Sequence, residues 1–374
     1  MTKRGGDSAQ NKAVFLSPEA PAPGGGGGGL RSASLLEYLR GKYSVDVVGF
    51  SLRPHSKAAP ARAWRNLARL ARGAPPLFDR YSGYEEQLRG RVRGSHYALG
   101  VVEHFWCASY EPLLRTCCAR LVLDLHNVES ELARNHARAA RWPASWASAR
   151  FADAYRRLEG EWIRRFDLVL VASEEDRRRI DHPRVCVYPN ALPEMAQPDA
   201  PEEHCVAFSG NLEYHPNIEA VRWFRERIWP IIREKDRGLE WRLIGKNPHA
   251  VERIVRGDDR IRIVGAVDDA VAEIARARVC VVPLLSGSGT RFKILEAWAA
   301  GRPVVSTSLG AEGLGARHGE HLLLADHPGK FAEAILDLLA DAGARRRIGK
   351  VGRARYLSEF TWAVAWRKLE AAGI

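Results

Sequence analysis

From Ser286 to Leu314 the chain reads SGSGTRFKILEAWAAGRPVVSTSLGAEGL, and the start of this stretch gathers residues that could hold a nucleotide. Ser286, Gly287, Ser288, Gly289 and Thr290 carry little side chain, so the backbone there can approach a ligand closely. They follow the apolar run ARVCVVPL and lead into a helix that begins near Arg291. The free N–H groups and positive dipole end of that helix face the loop. A phosphate suits such a place. Arg291 and Lys293 would add two full positive charges, the guanidinium as a two-pronged donor. Glu296, further along the helix, is wrong for a phosphate but right for a ribose diol, accepting from two hydroxyls. Cations for a diphosphate and an acid for a pentose read together as a nucleotide-diphosphate site.

Other chemistry lies where apolar runs end. His126 and Asn127 follow RLVLDL, and Glu103 with His104 close YALGVVEH; Glu103, His104 and Asn127 are candidates for acceptor contacts, whereas Asp124 inside its strand reads as structural. PAPGGGGGGLRSASLLEYL places six glycines between the first strand and the first helix. That is where a phosphate or sugar would sit, although a low-complexity loop fits the same composition. Among the loops of the second half, FSGNLEYHPN holds Gly210 and Asn211, LIGKNP holds Gly245 and Lys246, and IVGAVDD holds Val267. No Asp-x-Asp metal motif, CxxC pair or zinc spacing occurs, so neither metal nor cofactor is expected.

The elements that must position these residues form two similar series. AVFLSP, VDVVGF, YALGVVE, RLVLDLH, DLVLVAS and RVCVYPN read as strands of the first half, with helices between most of them. The first helix is expected from Leu30. ALPEMAQPDAPEEH reads as a linker. CVAFSGN, EWRLIGK, IRIVGAV, ARVCVVPL and PVVST then repeat the pattern, with one helix from about Asn217 to Lys235. Apolar runs without alternation indicate parallel strands covered on both faces, and the βα order implies right-handed crossovers. The expected division is a disordered tail over 1–12, a Rossmann-like domain over 13–192, a linker over 193–204, a second Rossmann-like domain over 205–359 and a C-terminal helix over 360–374. Ligands belong beyond the carboxyl ends of the strands, in a cleft that the two α/β domains face.

The chain has 374 residues and a formal charge of +12. Residues 1–195 account for +9 and the remainder for +3. That imbalance fits an anionic partner, or a composition that merely favours arginine. Arg62, Arg65, Arg69 and Arg72 fall on one face of a helix in PARAWRNLARLARGAPP, a pattern that suits an anionic membrane or a solvated face. No secretory leader and no apolar run of spanning length is expected. The anticipated location is therefore the cytoplasm, either free or peripheral to the inner face of the plasma membrane. The six cysteines read as reduced thiols.

The segment around Glu296 resembles the donor-site helix of family-4 glycosyltransferases, which have the GT-B fold: two Rossmann-like domains with parallel sheets. Many members carry a Glu, seven residues and a second Glu. The second matches Glu296, implied to bind the ribose, while Ser288 stands where the first would be. A subgroup instead reads small-Gly-Thr-Arg-x-Lys before the Glu, as here, and Leu295 lies within that motif. The resemblance implies that the domain over 13–192 binds the acceptor, that the domain over 205–359 binds the nucleotide-sugar and that the helix over 360–374 returns to the first domain. It also implies that Gly27, Gly28 and Arg31 belong to the donor site, that His126 contacts the transferred sugar, and that backbone near Val267 meets the base. Many relatives have an Arg and a Lys in the loop that here carries Gly210 and Asn211, which leaves Arg291 and Lys293 to hold the diphosphate.

The implied activity is transfer of a sugar, with retention of configuration, from a nucleotide-diphosphate-sugar to a saccharide, lipid-linked or small-molecule hydroxyl acceptor. Cell-envelope polysaccharide or glycolipid assembly is the commonest setting. Two rival readings are a nucleotide-sugar epimerase of the same fold and a basic nucleic-acid binder. The first needs acid–base residues around the sugar, and the second lacks any helix-turn-helix, zinc finger or aromatic RNA-binding motif.

Overall fold

The protein is described by a computed structural model over residues 12–18, 21, 26–56, 58–139, 142–287 and 292–374. It divides into two compact units: Met1–Tyr188 with Lys368–Ile374, and Pro189–Arg367.

The first unit is built on six parallel strands: β1 (Lys12–Leu16), β2 (Ser44–Val48), β3 (Leu99–Glu103), β4 (Leu121–Asp124), β5 (Leu168–Val171) and β6 (Val185–Val187), in the order β2-β1-β3-β4-β5-β6. β3, β4 and β5 are buried at every position, as their unbroken apolar runs require of strands covered on both faces. The strand order reverses between β1 and β3, so Ser17 and Glu103 flank the switch point at which open α/β sheets bind ligands. The last residues of the chain pack here: the Tyr38 hydroxyl and the Lys42 ammonium both donate to the Ile374 carbonyl, at 2.7 and 2.8 Å.

The second unit repeats the plan with β7 (Glu203–Ser209), β8 (Glu240–Ile244), β9 (Ile261–Gly265), β10 (Ala277–Val282), β11 (Val304–Ser306) and β12 (Leu323–Leu324), in the order β12-β11-β10-β7-β8-β9. Its switch lies between β7 and β10, which pair in parallel through Val279 opposite Val206 and Cys280 opposite Ala207. Trp229, Trp241 and Trp298 are fully buried within this unit.

The anticipated strands are present, and all but β3 end sooner than the apolar runs suggested. Their last residues turn into the loops that carry the site. The two-residue β12 was not anticipated. The helix expected from Leu30 begins at Gly26, because the first turn makes fewest internal hydrogen bonds and so tolerates glycine best. The single helix expected from Asn217 is interrupted: a π-turn over Phe224–Ile228 separates His215–Trp223 from Trp229–Lys235. Pro230 lacks the N–H that an unbroken α-helix would use there.

Candidate functional site

In the second unit, the switch between β7 and β10 brings together residues from three loops. Helix Phe292–Ala299 presents Ile294, Leu295, Ala297 and Trp298 to the core, which leaves Lys293 and Glu296 on its other side. The Ser209 hydroxyl, at the end of β7, donates a 2.8 Å hydrogen bond to the Glu296 carboxylate. Burial raises the Glu296 carboxyl above its ordinary value, and the Ser209 bond and the Lys293 charge offset only part of that. The Lys293 ammonium lies 4.9 Å from the centre of the Phe208 ring, a cation–π distance.

Glycine makes this convergence fit. Gly210 has φ +136°, and a Cβ there would overlap the Lys293 ammonium and lie 3.2 Å from the Asn217 amide nitrogen. Gly245 has φ +143°, and its Cβ would collide with the Gly210 carbonyl. Both positions need a conformation that L side chains rarely adopt; Gly210 keeps the space around the ammonium clear, and Gly245 lets the two loops approach. Asn211 braces the same loops: its side-chain oxygen accepts from the Asn247 amide at 3.0 Å and from the Glu213 N–H at 3.2 Å. Its carbonyl accepts from the Asn217 amide at 2.6 Å. The Lys246 carbonyl receives the Leu212 N–H at 2.9 Å. Val267, after β9, is exposed.

The remaining expectations for this unit divide. Ser288, Gly289, Thr290 and Arg291 lie outside the described residues. Leu295 is fully buried and belongs to the core that seats the helix, so its side chain is not a donor contact. Ser209 was missed by sequence reasoning, although a serine directly before a glycine at a strand's carboxyl end was a usable signal. Ser286 donates to Glu219 at 2.6 Å, which ties the loop after β10 to the helix after β7.

In the first unit, a buried polar cluster fills the carboxyl ends of β1, β3 and β4. Arg31 was expected at the donor, but it is completely buried. Its Nε donates to both Asp124 carboxylate oxygens at 3.1 and 2.9 Å, and its terminal nitrogens reach Asp124 and the Tyr188 carbonyl. A guanidinium on helix Gly26–Arg40 thus answers a carboxylate inside the sheet. Burial pushes the Asp124 carboxyl up, but Arg31 and His126 outweigh it and hold the group well below the carboxylate range.

Glu103 is likewise fully buried rather than open to an acceptor; it accepts from the Ser17 hydroxyl at 2.7 Å. His126 is buried with Nε2 directed inward, 3.4 Å from Asp124 and 3.6 Å from Glu103. Burial alone would lower its imidazole; the two carboxylates outweigh that and raise it. Its Nδ1 side faces the first turn of helix Gly26–Arg40, where a Cβ on Gly28 would lie 3.5 Å away. Gly27 is in the same turn. His104 is strained, with φ +62°. Its half-buried ring stacks on Trp106 at 4.2 Å and lies tilted against His126 at 3.7 Å. Burial, then the His126 charge, lowers its imidazole well below the usual value. Asn127 follows at the half-buried start of the next loop.

Among the described residues, Glu103, Asp124 and His126 form a set whose ligand atoms lie within 4.8 Å of one another, close enough for a metal ion. Arg31 neutralises Asp124 and Ser17 bonds one Glu103 oxygen, whereas Glu103 Oε1 and His126 Nε2 are buried without a hydrogen-bond partner.

Comparison with known proteins agrees with this geometry. A family model described as glycosyl transferases group 1 matches residues 203–341. A curated Klebsiella pneumoniae protein of the cps region, itself uncharacterized, is 24% identical over 38% of this chain and 39% of its own length. The phosphatidyl-myo-inositol mannosyltransferase of Mycobacterium leprae is 34% identical over 28% of this chain and 29% of its own. The matched region thus spans well under half the length of either relative. Among solved structures, sucrose-phosphate synthase from Thermosynechococcus elongatus aligns over 97% of this chain and 100% of its own, with a TM-score of 0.68 at 20% identity. Anabaena HepE, solved with UDP and glucose, aligns over 96% and 98%, with a TM-score of 0.62 at 15% identity. The fold is GT-B.

Proposed function

We propose that this chain is a glycosyltransferase that moves a sugar from a nucleotide-diphosphate-sugar to a hydroxyl acceptor, with the donor nucleotide held by the second unit. The observation that carries the reading is the placement of Lys293 and Glu296. They stand on one helix beside Ser209 and Gly210, at the β7/β10 switch point, inside the region that matches the glycosyl transferases group 1 model. Lys293, with Arg291, neutralises the diphosphate. Glu296, oriented by Ser209, accepts from the ribose hydroxyls, and the backbone near Val267 meets the base. In the first unit, His126 is the group assigned to the transferred sugar.

When the sugar departs, negative charge grows on the diphosphate. Preorganised cations stabilise that charge without any proton transfer. The reaction we propose proceeds with retention, by a front-face route without a protein nucleophile, and needs no divalent ion. The cps-region relative, the mannosyltransferase and HepE with its UDP and glucose support a nucleotide-sugar donor and a role in envelope saccharide or glycolipid assembly.

The test is a nucleotide-release assay across UDP- and GDP-sugars with saccharide and lipid-linked acceptors, with and without chelator. Acceptor-dependent release of one nucleoside diphosphate, unchanged by chelator, supports the reading. If no sugar nucleotide in the panel binds, the donor assignment is wrong.

A further inference from the structure

Charged groups meet at the carboxyl ends of β3 and β4, and they do not pair evenly. Arg31 answers Asp124 at both carboxylate oxygens. Glu103 receives the Ser17 hydroxyl on one oxygen at 2.7 Å, while its Oε1 is buried with no hydrogen-bond partner among the described residues. A hydroxyl brings no countercharge, and a buried charge left without one is costly. Nε2 of His126, likewise without a hydrogen-bond partner, lies 3.6 Å from that oxygen. With a proton on His126 the buried set is neutral: Arg31 and His126 against Asp124 and Glu103. A divalent ion in place of that proton would leave the set positive, beside a guanidinium. Glu129 also feels the His126 charge, but burial and then Glu159 raise its carboxyl to about 8, so it is no countercharge at neutral pH.

His104 stands against this cation. Its φ of +62° is uncommon for a residue with a side chain,, and its N–H donates to the Asp124 carbonyl at 2.9 Å. The half-buried ring lies 3.7 Å from that of His126, with Trp106 stacked on it at 4.2 Å. A proton on both rings would set two positive charges in contact. Burial lowers the His104 imidazole first, the His126 charge and Arg31 lower it further, and Asp124 offsets part. For His126, Asp124 and Glu103 outweigh burial and raise it. Neighbours pushed apart in this way divide the roles of donor and acceptor.

We propose that Glu103 is a positioning residue that, with Asp124, holds the two histidines in opposite charge states: His126 a cation that donates from Nδ1 to a substrate oxygen, His104 a neutral ring that accepts from a substrate hydroxyl. It rests on the reading that His126 meets the transferred sugar. Nε2 of His126 is directed at the two carboxylates, which leaves Nδ1, on the Gly28 side, as the donor. Both nitrogens of a charged imidazole carry hydrogen, so the ligand atom at Nδ1 must be an acceptor. Glu103 acts on the substrate through His126 and touches it nowhere. No proton moves in the transfer itself; the charges stand ready beforehand.

Proton–carbon correlation spectra of the histidine rings in the full chain read both charge states with no sugar nucleotide present, so they stand or fall apart from the donor assignment. Through a pH titration, His126 should stay charged above the ordinary imidazole midpoint and His104 neutral below it. Glu103→Gln keeps the shape and an oxygen for Ser17 but removes the charge, and should lower the His126 midpoint by about one pH unit or more. His126→Gln should raise the His104 midpoint. In the acceptor-dependent nucleotide-release assay, Glu103→Gln should carry the alkaline limb of the rate profile to lower pH by the same amount, because the cation is lost as pH rises through its midpoint. Glu103→Asp should restore part of that limb. A Glu103 that only supports the fold would lower the rate equally at every pH, which overturns the proposal. So does a His126 midpoint that Glu103→Gln leaves unchanged in a chain with parental circular dichroism. If Glu103→Gln does not fold, the parent decides: a His126 that is neutral at its ordinary midpoint overturns the proposal. A stoichiometric divalent ion in the purified parent, bound by these residues, overturns it as well.

Discussion

Ser209 and Glu296 stand 2.8 Å apart, hydroxyl donating to carboxylate, although 87 residues separate them in sequence. The bond joins the end of β7 to the helix after β10, across the point where the strand order reverses. It fixes one acid beside one cation, Lys293, whose charge acts on the Glu296 carboxyl.

That pairing predicts how the ribose is read. Glu296→Gln keeps the shape but weakens acceptance from two hydroxyls. It should reduce affinity for the cognate nucleoside diphosphate about tenfold and leave the 2′-deoxy analogue little changed. Ser209→Ala should have a smaller effect in the same direction. Fluorescence competition with the ribo and deoxy forms measures both. Equal losses for the two forms would remove Glu296 from the ribose.

Gly210 and Gly245 should respond differently to alanine. At Gly210 the added methyl meets the end of a flexible lysine, so the chain folds, with a strain cost of about 1–3 kcal/mol, while Lys293 is displaced and nucleotide affinity falls. At Gly245 the methyl meets the Gly210 backbone, so stability itself should drop further. Urea unfolding of both variants, paired with nucleotide titration, separates the effects.

The Arg31–Asp124 pair is fully buried. Asp124→Asn leaves the guanidinium without its charge partner and should cost about 3–5 kcal/mol of stability. Because the folded Asp124 carboxyl lies below its unfolded value, its contribution is complete above the unfolded pKa and disappears as pH falls through the folded one. Acid titration of the parent and Asp124→Asn, followed by circular dichroism, should show the stability gap between them narrowing as the medium becomes strongly acidic.

Glu129 has the opposite sign. Burial, followed by the neighbouring Glu159 charge, raises its carboxyl from 4.5 to about 8. The folded state then holds a proton that the unfolded state has released, so stability falls as pH rises from 4.5 towards about 8,. Glu129→Gln should flatten that decline, read from urea midpoints across the window. A parent profile no steeper than the variant's would show that Glu129 is ionised in the fold.

Much of this was legible in the residues. Unbroken Val and Leu runs marked the parallel strands, because burial on both faces leaves no alternation. The cation–acid order of Lys293 and Glu296 marked the candidate site we propose for a nucleotide, because a diphosphate and a ribose need opposite charges at a fixed spacing. Partnership across sequence was not legible. Nothing local to Arg31 distinguishes a phosphate ligand from the counter-charge of Asp124, 93 residues away. Glu103 was a candidate for acceptor contacts because it ends a strand, yet it is fully buried and held by Ser17, which lies 86 residues away. The arginine spacing in helix Ala59–Arg72 revealed amphipathicity but not that Arg69 and Arg72 pair with Asp79, which lies beyond the helix.

The central claim is tested most directly by calorimetric titration of a nucleoside diphosphate into the parent chain and Lys293→Met, with melting temperatures confirming that both are folded. Saturable binding by the parent and at least a tenfold loss in the variant are predicted, as expected for one charged contact to a diphosphate. Unchanged affinity in a folded Lys293→Met would contradict the account.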